Sequence, residues 1–147
     1  MDLVMLDVEG YLCLWRRARK DGTLVVLPPE RCLCDEHVTQ LMFAGQNTKA
    51  GQKSNYAGGS GRRKFCFTDW TGDGKKDLIA NSRNVMLYEF VGKENGKWLY
   101  RNRGDLDKAP LAGHTTSLTA CDFDGDGREE LLVGAEDGFF YLLPRRD

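Results

Sequence analysis

The sequence has no long apolar run and no dominant charge. Both absences exclude classes of function that the protein could otherwise have. No apolar run approaches the roughly 20 residues that a helix needs to cross a bilayer. The first residues, Met1 to Val4, lack the basic start and apolar segment of a secretory signal peptide. The 21 basic and 22 acidic residues give a net charge of -1. We therefore expect neither a membrane span nor nucleic acid as a partner.

The five cysteines are an odd number, which does not favour a disulfide framework. Cys13, Cys66 and Cys121 each lie in an apolar run that predicts a strand, where a reduced cysteine packs as a small hydrophobic residue. Cys32 and Cys34 form a C-x-C pair, but no second pair and no suitably spaced histidine completes a tetrahedral zinc set. The sequence therefore favours structural cysteines over a zinc site.

Two segments of the sequence are copies of one another. Residues 67–79 and 120–132 align without gaps, at an offset of 53 residues. A third copy is visible only in its second half, where residues 2–15 align with residues 130–143. The chain is therefore predicted to be a repeat protein.

Each copy has the pattern of an antiparallel meander, in which short apolar or alternating runs are separated by tight turns. The turn signals are dipeptides that end in glycine: Glu9-Gly10, Asp21-Gly22, Asn95-Gly96 and Asp137-Gly138. In the middle copy the pattern predicts four strands, near residues 64–68, 78–80, 85–91 and 98–102. Four-stranded antiparallel units of this repeat length are typical of β-propeller blades. We therefore predict an all-β propeller segment with about three partial blades and no helix.

The predicted segment, residues 1–147, has four parts. They are a partial blade at 1–27, an irregular insertion at 28–63, a blade at 64–104 and a partial blade at 112–147. The first unit lacks its incoming strand and the last stops after its third strand, which leaves open sheet edges that pair readily with other chains. We expect the remainder of a longer propeller chain, or self-association, to close these edges. Within the insertion we expect an extra strand near 38–44, with a ligand-binding loop as the alternative.

Two acidic loops carry the most specific chemistry: loop 1 (Asp69 to Asp77) and loop 2 (Asp122 to Glu130). In loop 2, acidic residues occupy positions 1, 3, 5 and 9, and position 7 offers its backbone carbonyl. Calcium takes six to eight such oxygens at roughly 2.3–2.6 Å, and glycine at position 6 permits the sharp curl that gathers them. The predicted calcium ligands are Asp69, Thr71, Asp73, Lys75 and Asp77 in loop 1, and Asp122, Asp124, Asp126, Arg128 and Glu130 in loop 2.

Two other structures could explain these loops: an EF-hand and a plain hairpin turn. An EF-hand needs a glutamate at position 12 and flanking helices, but position 12 is Ala80 in loop 1 and Val133 in loop 2, both in predicted strands. A plain hairpin turn with solvated carboxylates is disfavoured because the two loops have matched spacing. Since Thr71 leaves loop 1 with three carboxylates against four, we predict weaker binding there. Crowded like charges need a compensating cation, so calcium is expected to be a folding ligand rather than a catalytic one.

The pattern D-x-D-G-D-G-x-x-[DE]-L before an apolar strand resembles the FG-GAP or VCBS type of β-propeller repeat. The resemblance covers three partial repeats and most of the chain outside residues 28–63. It implies calcium at the blade loops, an extracellular or periplasmic location, and roles in adhesion, carbohydrate binding or polysaccharide-degrading enzymes. Thr71 departs from the pattern, and five cysteines without evident pairing are unusual in an oxidising compartment.

Catalytic residues are not evident, because the chain has only two histidines, His37 and His114, the residue type best suited to acid-base chemistry near neutral pH, and no catalytic constellation accompanies them. His114 is a candidate acid or base in the alternative function, a polysaccharide lyase or glycosidase acting on uronate-containing glycans. Arg62 or Arg63 would then neutralise a substrate carboxylate.

Three aromatic side chains, Tyr56, Trp70 and Trp98, are candidates for stacking on sugar rings. Because Trp70 lies inside loop 1, packing is the favoured interpretation for that residue. The function that the sequence favours is a calcium-stabilised propeller module that binds a carbohydrate ligand. A cell-surface adhesion module and part of a carbohydrate-active enzyme are the alternatives.

Overall fold

The computed structural model describes residues 2–43, 63–82, 84–107, 111 and 116–145. In this part of the chain there are twelve strands and no helix, so none that is long and apolar enough to cross a membrane. The strands are β1 (Leu3–Leu6), β2 (Leu12–Trp15), β3 (Arg17–Lys20), β4 (Thr23–Val26), β5 (Leu33–Asp35), β6 (Phe65–Thr68), β7 (Asp77–Asn81), β8 (Val85–Glu94), β9 (Lys97–Asp105), β10 (Ser117–Cys121), β11 (Glu130–Gly134) and β12 (Phe140–Leu143). They form several antiparallel sheets, which confirms the predicted all-β class.

The chain divides into two compact units. Unit 1 comprises Met1–Arg62 and Gly92–Leu99, and unit 2 comprises Arg63–Val91 and Tyr100–Asp147. Each unit buries its own apolar side chains. In unit 1 these are Leu12, Cys13, Leu14, Cys32, Leu33, Cys34, Leu41 and Phe43.

Unit 1 contains two antiparallel hairpins, β1-β2 and β3-β4. The β3-β4 hairpin turns at Asp21-Gly22, where φ is 51° and 80°. Two successive positive φ values match a type I′ turn, whose twist fits that of the flanking strands. Asn95-Gly96, with φ of 47° and 77°, forms the same kind of turn between β8 and β9. Both hairpins lie where the Asx-Gly dipeptides predict them.

The prediction of an extra strand near residues 38–44 is wrong for the described residues 38–43. Val38 has a φ of 66°, a left-handed conformation that interrupts an extended run. Isolated bridges at Gln40 and Met42 replace a regular ladder. A strand does occur within the stretch that was predicted to be irregular, but earlier, at β5. Residues 44–62 of that stretch lie outside the described residues.

The strands predicted for the middle copy, β6 to β9, are neighbours in a five-stranded sheet of order β5-β9-β8-β7-β6. Neighbouring strands pair in register, with Phe65 opposite Ala80 and Leu78 opposite Tyr88. All residues of β7 are buried, as expected for a strand with a neighbour on each side and a covered face. All four strands predicted for this copy therefore occur, but the sheet has a fifth strand, β5, that the pattern did not predict.

A second sheet in unit 2 consists of β10, β11 and β12 in that order. Its last hairpin pairs Leu131 with Leu143, and the β1-β2 hairpin pairs Leu3 with Trp15. These are the pairs that the alignment of residues 2–15 with 130–143 makes equivalent. The hairpin of residues 2–15 therefore has the same strand register as the hairpin of residues 130–143.

The core of unit 2 lies between its two sheets. Its buried members are Ile79, Val85, Leu87, Leu118, Leu131 and Val133, and the partly buried Cys66, Trp70, Leu106, Leu111, Ala120, Tyr141 and Leu143 pack against them. Burying these side chains supplies the main favourable term that holds the two sheets together. Loops 1 and 2 leave the strands that contribute to this core.

Candidate metal centre

Loops 1 and 2 occupy equivalent places in their sheets. Loop 1 joins β6 to β7, and loop 2 joins β10 to β11. In each loop the last predicted ligand is also the first residue of the following strand: Asp77 pairs with Thr68, and Glu130 pairs with Cys121. The sheets therefore fix the two ends of each loop, and only the residues between them curl.

The first aspartate of each loop holds the curl by accepting a backbone hydrogen bond from the glycine at position 6. Gly74 N–H donates to Asp69 Oδ2 at 3.0 Å, and Gly127 N–H donates to Asp122 Oδ2 at 3.1 Å. Both glycines have left-handed φ, 80° and 88°, which other L-residues adopt with strain. The role predicted for glycine at position 6 agrees with this geometry.

The aspartate at position 5 also makes the same contact in both loops. Lys75 N–H donates to Asp73 Oδ1 at 2.9 Å, and Arg128 N–H donates to Asp126 Oδ1 at 2.8 Å. Both carboxylates thus cap the backbone within their own turn, and both residues are exposed. The matched spacing in the sequence produces matched local structure.

The acid that closes each loop is buried. Asp77 has 0% exposure and Glu130 has 6%. Thr71 N–H donates to Asp77 Oδ2 at 2.9 Å, and Phe123 N–H donates to Glu130 Oε2 at 2.8 Å. A buried carboxylate is costly without such donors. The hydrogen bonds that make burial of each closing acid possible therefore form only when its loop is folded.

Loop 2 brings three carboxylates together. One oxygen from each of Asp122, Asp124 and Glu130 lies within 4.8 Å of the others. Two ligands on opposite sides of one calcium ion are about 5 Å apart, since each lies roughly 2.3–2.6 Å from the ion. The separation thus suits a single calcium ion, and three anionic oxygens this close repel one another without a cation. The donor set of loop 2 fits the metal that the sequence predicts.

Loop 1 uses its acids differently. The Thr71 hydroxyl donates to Asp77 Oδ2 at 3.0 Å, and Phe90 N–H donates to Asp77 Oδ1 at 2.8 Å. The Lys75 ammonium group donates to Asp73 Oδ2 at 2.8 Å, and this hydrogen bond lowers the pKa of Asp73. Among the described residues, no triad like that of loop 2 forms here. The protein itself provides partners for most of the loop 1 carboxylate oxygens.

One loop 1 oxygen nevertheless lacks a partner. Asp69 Oδ1 is buried and accepts no hydrogen bond. Buried carboxylate oxygens are normally bonded to a donor or to a metal ion. The Arg145 guanidinium group lies close by and donates to the Asp69 backbone carbonyl at 3.3 Å. Loop 1 therefore offers a cation one buried oxygen at Asp69, but among the described residues no group of three acids gathers there as in loop 2.

Sequence reasoning missed one residue that links the loops. Glu129, at position 8 of loop 2, accepts a hydrogen bond from the Thr68 hydroxyl, and Lys76, at position 8 of loop 1, lies 3.5 Å from the same oxygen. The only signal in the sequence was the opposite charge of the two position 8 residues. That signal does not identify a contact between residues so far apart in the chain.

The described residues among the catalytic candidates do not form a catalytic site. His114 and Arg62 lie outside the described residues. His37 is exposed, and its backbone N–H donates to Asp35 Oδ1 at 2.9 Å. Arg63 donates to the backbone carbonyl of Asn81 at 3.3 Å. The described members of the set therefore do not converge on a common site.

Two of the three predicted sugar-stacking aromatics are described, and their surroundings differ. The Lys93 ammonium group lies 4.3 Å from the centre of the Trp98 ring, so a cation covers one face of that indole. Trp70 packs against the core of unit 2 and also lines a cavity of about 110 Å³, together with Leu106, Asp107, Leu143 and Pro144. Tyr56 lies outside the described residues.

All five cysteines are free thiols. Cys13, Cys32 and Cys34 are buried in unit 1, while Cys66 and Cys121 are partly buried in unit 2. Burial raises the pKa of Cys13 and of Cys66 to about 11. Among the described residues, no cysteine belongs to a group of metal-ligating side chains.

Residues 69–133 match the sequence model of a family described as an FG-GAP-like repeat. The matched segment starts at the first residue of loop 1 and contains the whole of loop 2. Repeats of this type are related to β-propeller blades. Comparisons with curated proteins and with solved structures found no match. The chain is thus an all-β protein in which residues 69–133 are similar to an FG-GAP-like repeat.

Proposed function

We propose that this chain is a calcium-stabilised β-propeller module that binds a ligand of the carbohydrate class. The observation that carries the proposal is the convergence of three carboxylate oxygens, from Asp122, Asp124 and Glu130, within 4.8 Å. The FG-GAP-like match supports the propeller, because it spans three consecutive antiparallel strands, β7 to β9, and loop 2 of the next sheet. An extracellular or periplasmic location belongs to the same proposal, since FG-GAP repeats are typically extracellular.

Calcium would be held mainly by loop 2. Asp122, Asp124 and Glu130 would supply anionic oxygens, and the loop backbone keeps two of them in place through the N–H groups of Gly127 and Phe123. The ion would supply the positive charge that relieves repulsion among these oxygens. Because the loop connects two strands of the unit 2 core, filling it stabilises the folded sheet by mass action.

Loop 1 is proposed as a second and weaker calcium site. Asp69 provides a buried oxygen without a protein partner. Thr71 contributes no charge, and the Lys75 ammonium group competes for Asp73. The features of Thr71 and Lys75 both lower the net attraction for a cation relative to loop 2.

The ligand class is proposed from the cavity beside loop 1. Trp70 and Leu143 offer apolar surface, and Asp107 offers hydrogen-bond acceptors. A sugar ring presents both an apolar C–H face and hydroxyl donors, so a pocket with one indole and a few polar atoms suits it. A titration of neutral and uronate-containing oligosaccharides, followed by Trp70 fluorescence, tests this part. Saturable binding lost in Asp107→Ala supports the pocket, and unchanged binding in that variant rejects it.

Thermal unfolding with calcium and with chelator tests the calcium part. At a free calcium concentration about 100 times the dissociation constant, the midpoint should rise by roughly 5–10 °C. The paired substitution Asp122→Asn and Asp124→Asn should remove most of this rise. Asp137→Asn is the matched control, because it changes an exposed acid of the β11-β12 turn outside the loops. Equal midpoints with calcium and chelator for the unsubstituted protein would reject calcium as a folding ligand.

A further inference from the structure

Glu129 connects loops 1 and 2 within unit 2. Its Oε2 atom accepts a hydrogen bond from the Thr68 hydroxyl and lies 3.5 Å from the Lys76 ammonium group. Thr68 directly precedes Asp69, and Lys76 directly precedes Asp77. One carboxylate oxygen from loop 2 therefore contacts the residues that flank the first and the last predicted ligand of loop 1.

The two contacts differ in strength. Thr68 has 0% exposure, and the side chain of Glu129 is 39% exposed, so their hydrogen bond is partly shielded from water. A hydrogen bond to a charged acceptor is among the stronger kinds in proteins. The side chain of Lys76 is 62% exposed, so solvent screens its attraction to Glu129. The Thr68 hydrogen bond is therefore the main connection between the loops.

The strands that lead into the loops are also in contact. β6 and β10 pack against each other, and Lys64 Nζ donates to Ser117 Oγ at 2.9 Å where these two strands begin. The Thr68–Glu129 contact lies at the opposite end, beside the loops. The two strands are thus tied at both ends, but only the second tie touches the predicted metal ligands.

We propose that Glu129 couples the two loops, so that calcium binding at either loop raises the affinity of the other. This inference rests on the proposed calcium function. An ion held by Glu130 restrains the adjacent Glu129, and Glu129 in turn restrains Thr68 and therefore Asp69. Glu129 is a positioning residue in this scheme, because it acts on the ligands of loop 1 through their neighbours. Thermodynamic linkage requires the effect to be equal in both directions.

Trp70 provides a reporter for loop 1 alone. The chain has three tryptophans, and Trp70 lies at position 2 of loop 1. Trp15 and Trp98 belong to unit 1. Replacing them with phenylalanine, Trp15→Phe and Trp98→Phe, leaves one tryptophan whose fluorescence follows calcium at loop 1.

The test is a double-mutant cycle in this single-tryptophan background. Loop 2 is disabled by Asp122→Asn with Asp124→Asn, and the connection is cut by Thr68→Val, which keeps the side-chain shape and removes the hydroxyl. With Thr68 present, disabling loop 2 should weaken calcium binding at Trp70 by about 5-fold or more. In the Thr68→Val variant the same change should have little effect.

Two further variants keep the result interpretable. Glu129→Gln retains a hydrogen-bond acceptor but removes the charge, so it should reduce the coupling in part and serves if Thr68→Val does not fold. Ser117→Ala cuts the other tie between β6 and β10 and should leave the coupling unchanged. Loss of coupling in Ser117→Ala as well would contradict a specific role for Glu129.

The remaining outcomes separate the inference from the proposed function. Effects of loop 2 and Thr68 that simply add would overturn the coupling. No calcium response at Trp70, with calcium still bound at loop 2 by calorimetry, would also overturn it while leaving the calcium function intact. The absence of any calcium binding would overturn both.

Discussion

Thr71 and Asp77 are joined by two hydrogen bonds, because both the backbone N–H and the hydroxyl of Thr71 donate to Asp77 Oδ2, at 2.9 and 3.0 Å. Thr71 at position 3 of loop 1 thus has a structural role beside its predicted effect on metal binding. Its two donors give the buried Asp77 carboxylate hydrogen-bond partners from within the protein. Loop 2 has Asp124 at the equivalent position, where a carboxylate faces two other carboxylates.

We predict that Thr71→Asp strengthens calcium binding at loop 1 and weakens the metal-free protein. The added carboxylate supplies a fourth anionic ligand, and a roughly tenfold gain in affinity is expected. Without calcium, Asp77 loses a hydroxyl donor and faces a like charge, at a cost of about 1–3 kcal/mol. Calorimetry measures the affinity, and urea unfolding in chelator measures the stability.

Thr71→Val is the control for this substitution. It removes the hydroxyl without adding charge, so it should lower metal-free stability and leave calcium affinity at loop 1 unimproved. Equal calcium affinities for Thr71→Asp and Thr71→Val would show that position 3 of loop 1 does not contact the ion.

A second prediction concerns Asp77 itself. Its Oδ1 atom accepts the N–H of Phe90 at 2.8 Å, so this fully buried acid also ties loop 1 to β8. Asp77→Asn replaces one acceptor by an amide donor that opposes the donors of Thr71 or Phe90. A loss of about 2 kcal/mol in unfolding free energy is expected by urea denaturation.

Asp73→Asn is the matched comparison within the same loop. Asp73 is exposed, and its side chain bonds only to Lys75 in the contacts described above. Its replacement should leave the free energy of unfolding nearly unchanged, because exposed ion pairs contribute little. Equal losses for the two asparagine variants would contradict the structural role of Asp77.

A third prediction follows from the buried thiols. Burial raises the pKa of Cys66 from 9.0 to about 11, so at pH 8 about one thiol in a thousand is ionised. The folded protein should therefore react slowly with iodoacetamide at this position, and unfolding in urea should make the reaction fast. Peptide mass spectrometry of the labelled protein identifies the site.

The same pKa sets the direction of the pH dependence. Because the pKa of this acid is higher in the folded state than its ordinary value of 9.0, its contribution to stability is complete below pH 9. That contribution is lost as the pH rises towards 11. Labelling of folded and unfolded protein at equal rates at pH 8 would contradict the burial of Cys66.

Much of the fold was predictable because its signals are local. The Asp21-Gly22 and Asn95-Gly96 turns require positive φ at two successive residues, and few other dipeptides supply it without strain. The glycines at position 6 of the loops also have positive φ and are predictable for the same reason. The register of the hairpins then followed from the gapless alignment of the copies.

What the sequence did not predict depends on contacts between distant residues. Val38 lies in a run with the composition of a strand, yet its φ of 66° ends the extended conformation. The partnerless Oδ1 of Asp69 and the hydrogen bond from Thr68 to Glu129 arise only when β6, β10 and their loops pack together. Propensity and spacing carry no information about such pairs.

Calorimetric titration with calcium tests the central claim most directly. The unsubstituted protein should bind two calcium ions of unequal affinity, and Asp122→Asn with Asp124→Asn should abolish the tighter binding while the weaker remains. Asp137→Asn should leave both unchanged. The absence of binding heat in the unsubstituted protein, or tight binding that survives in the Asp122→Asn and Asp124→Asn variant, would contradict a calcium site in loop 2.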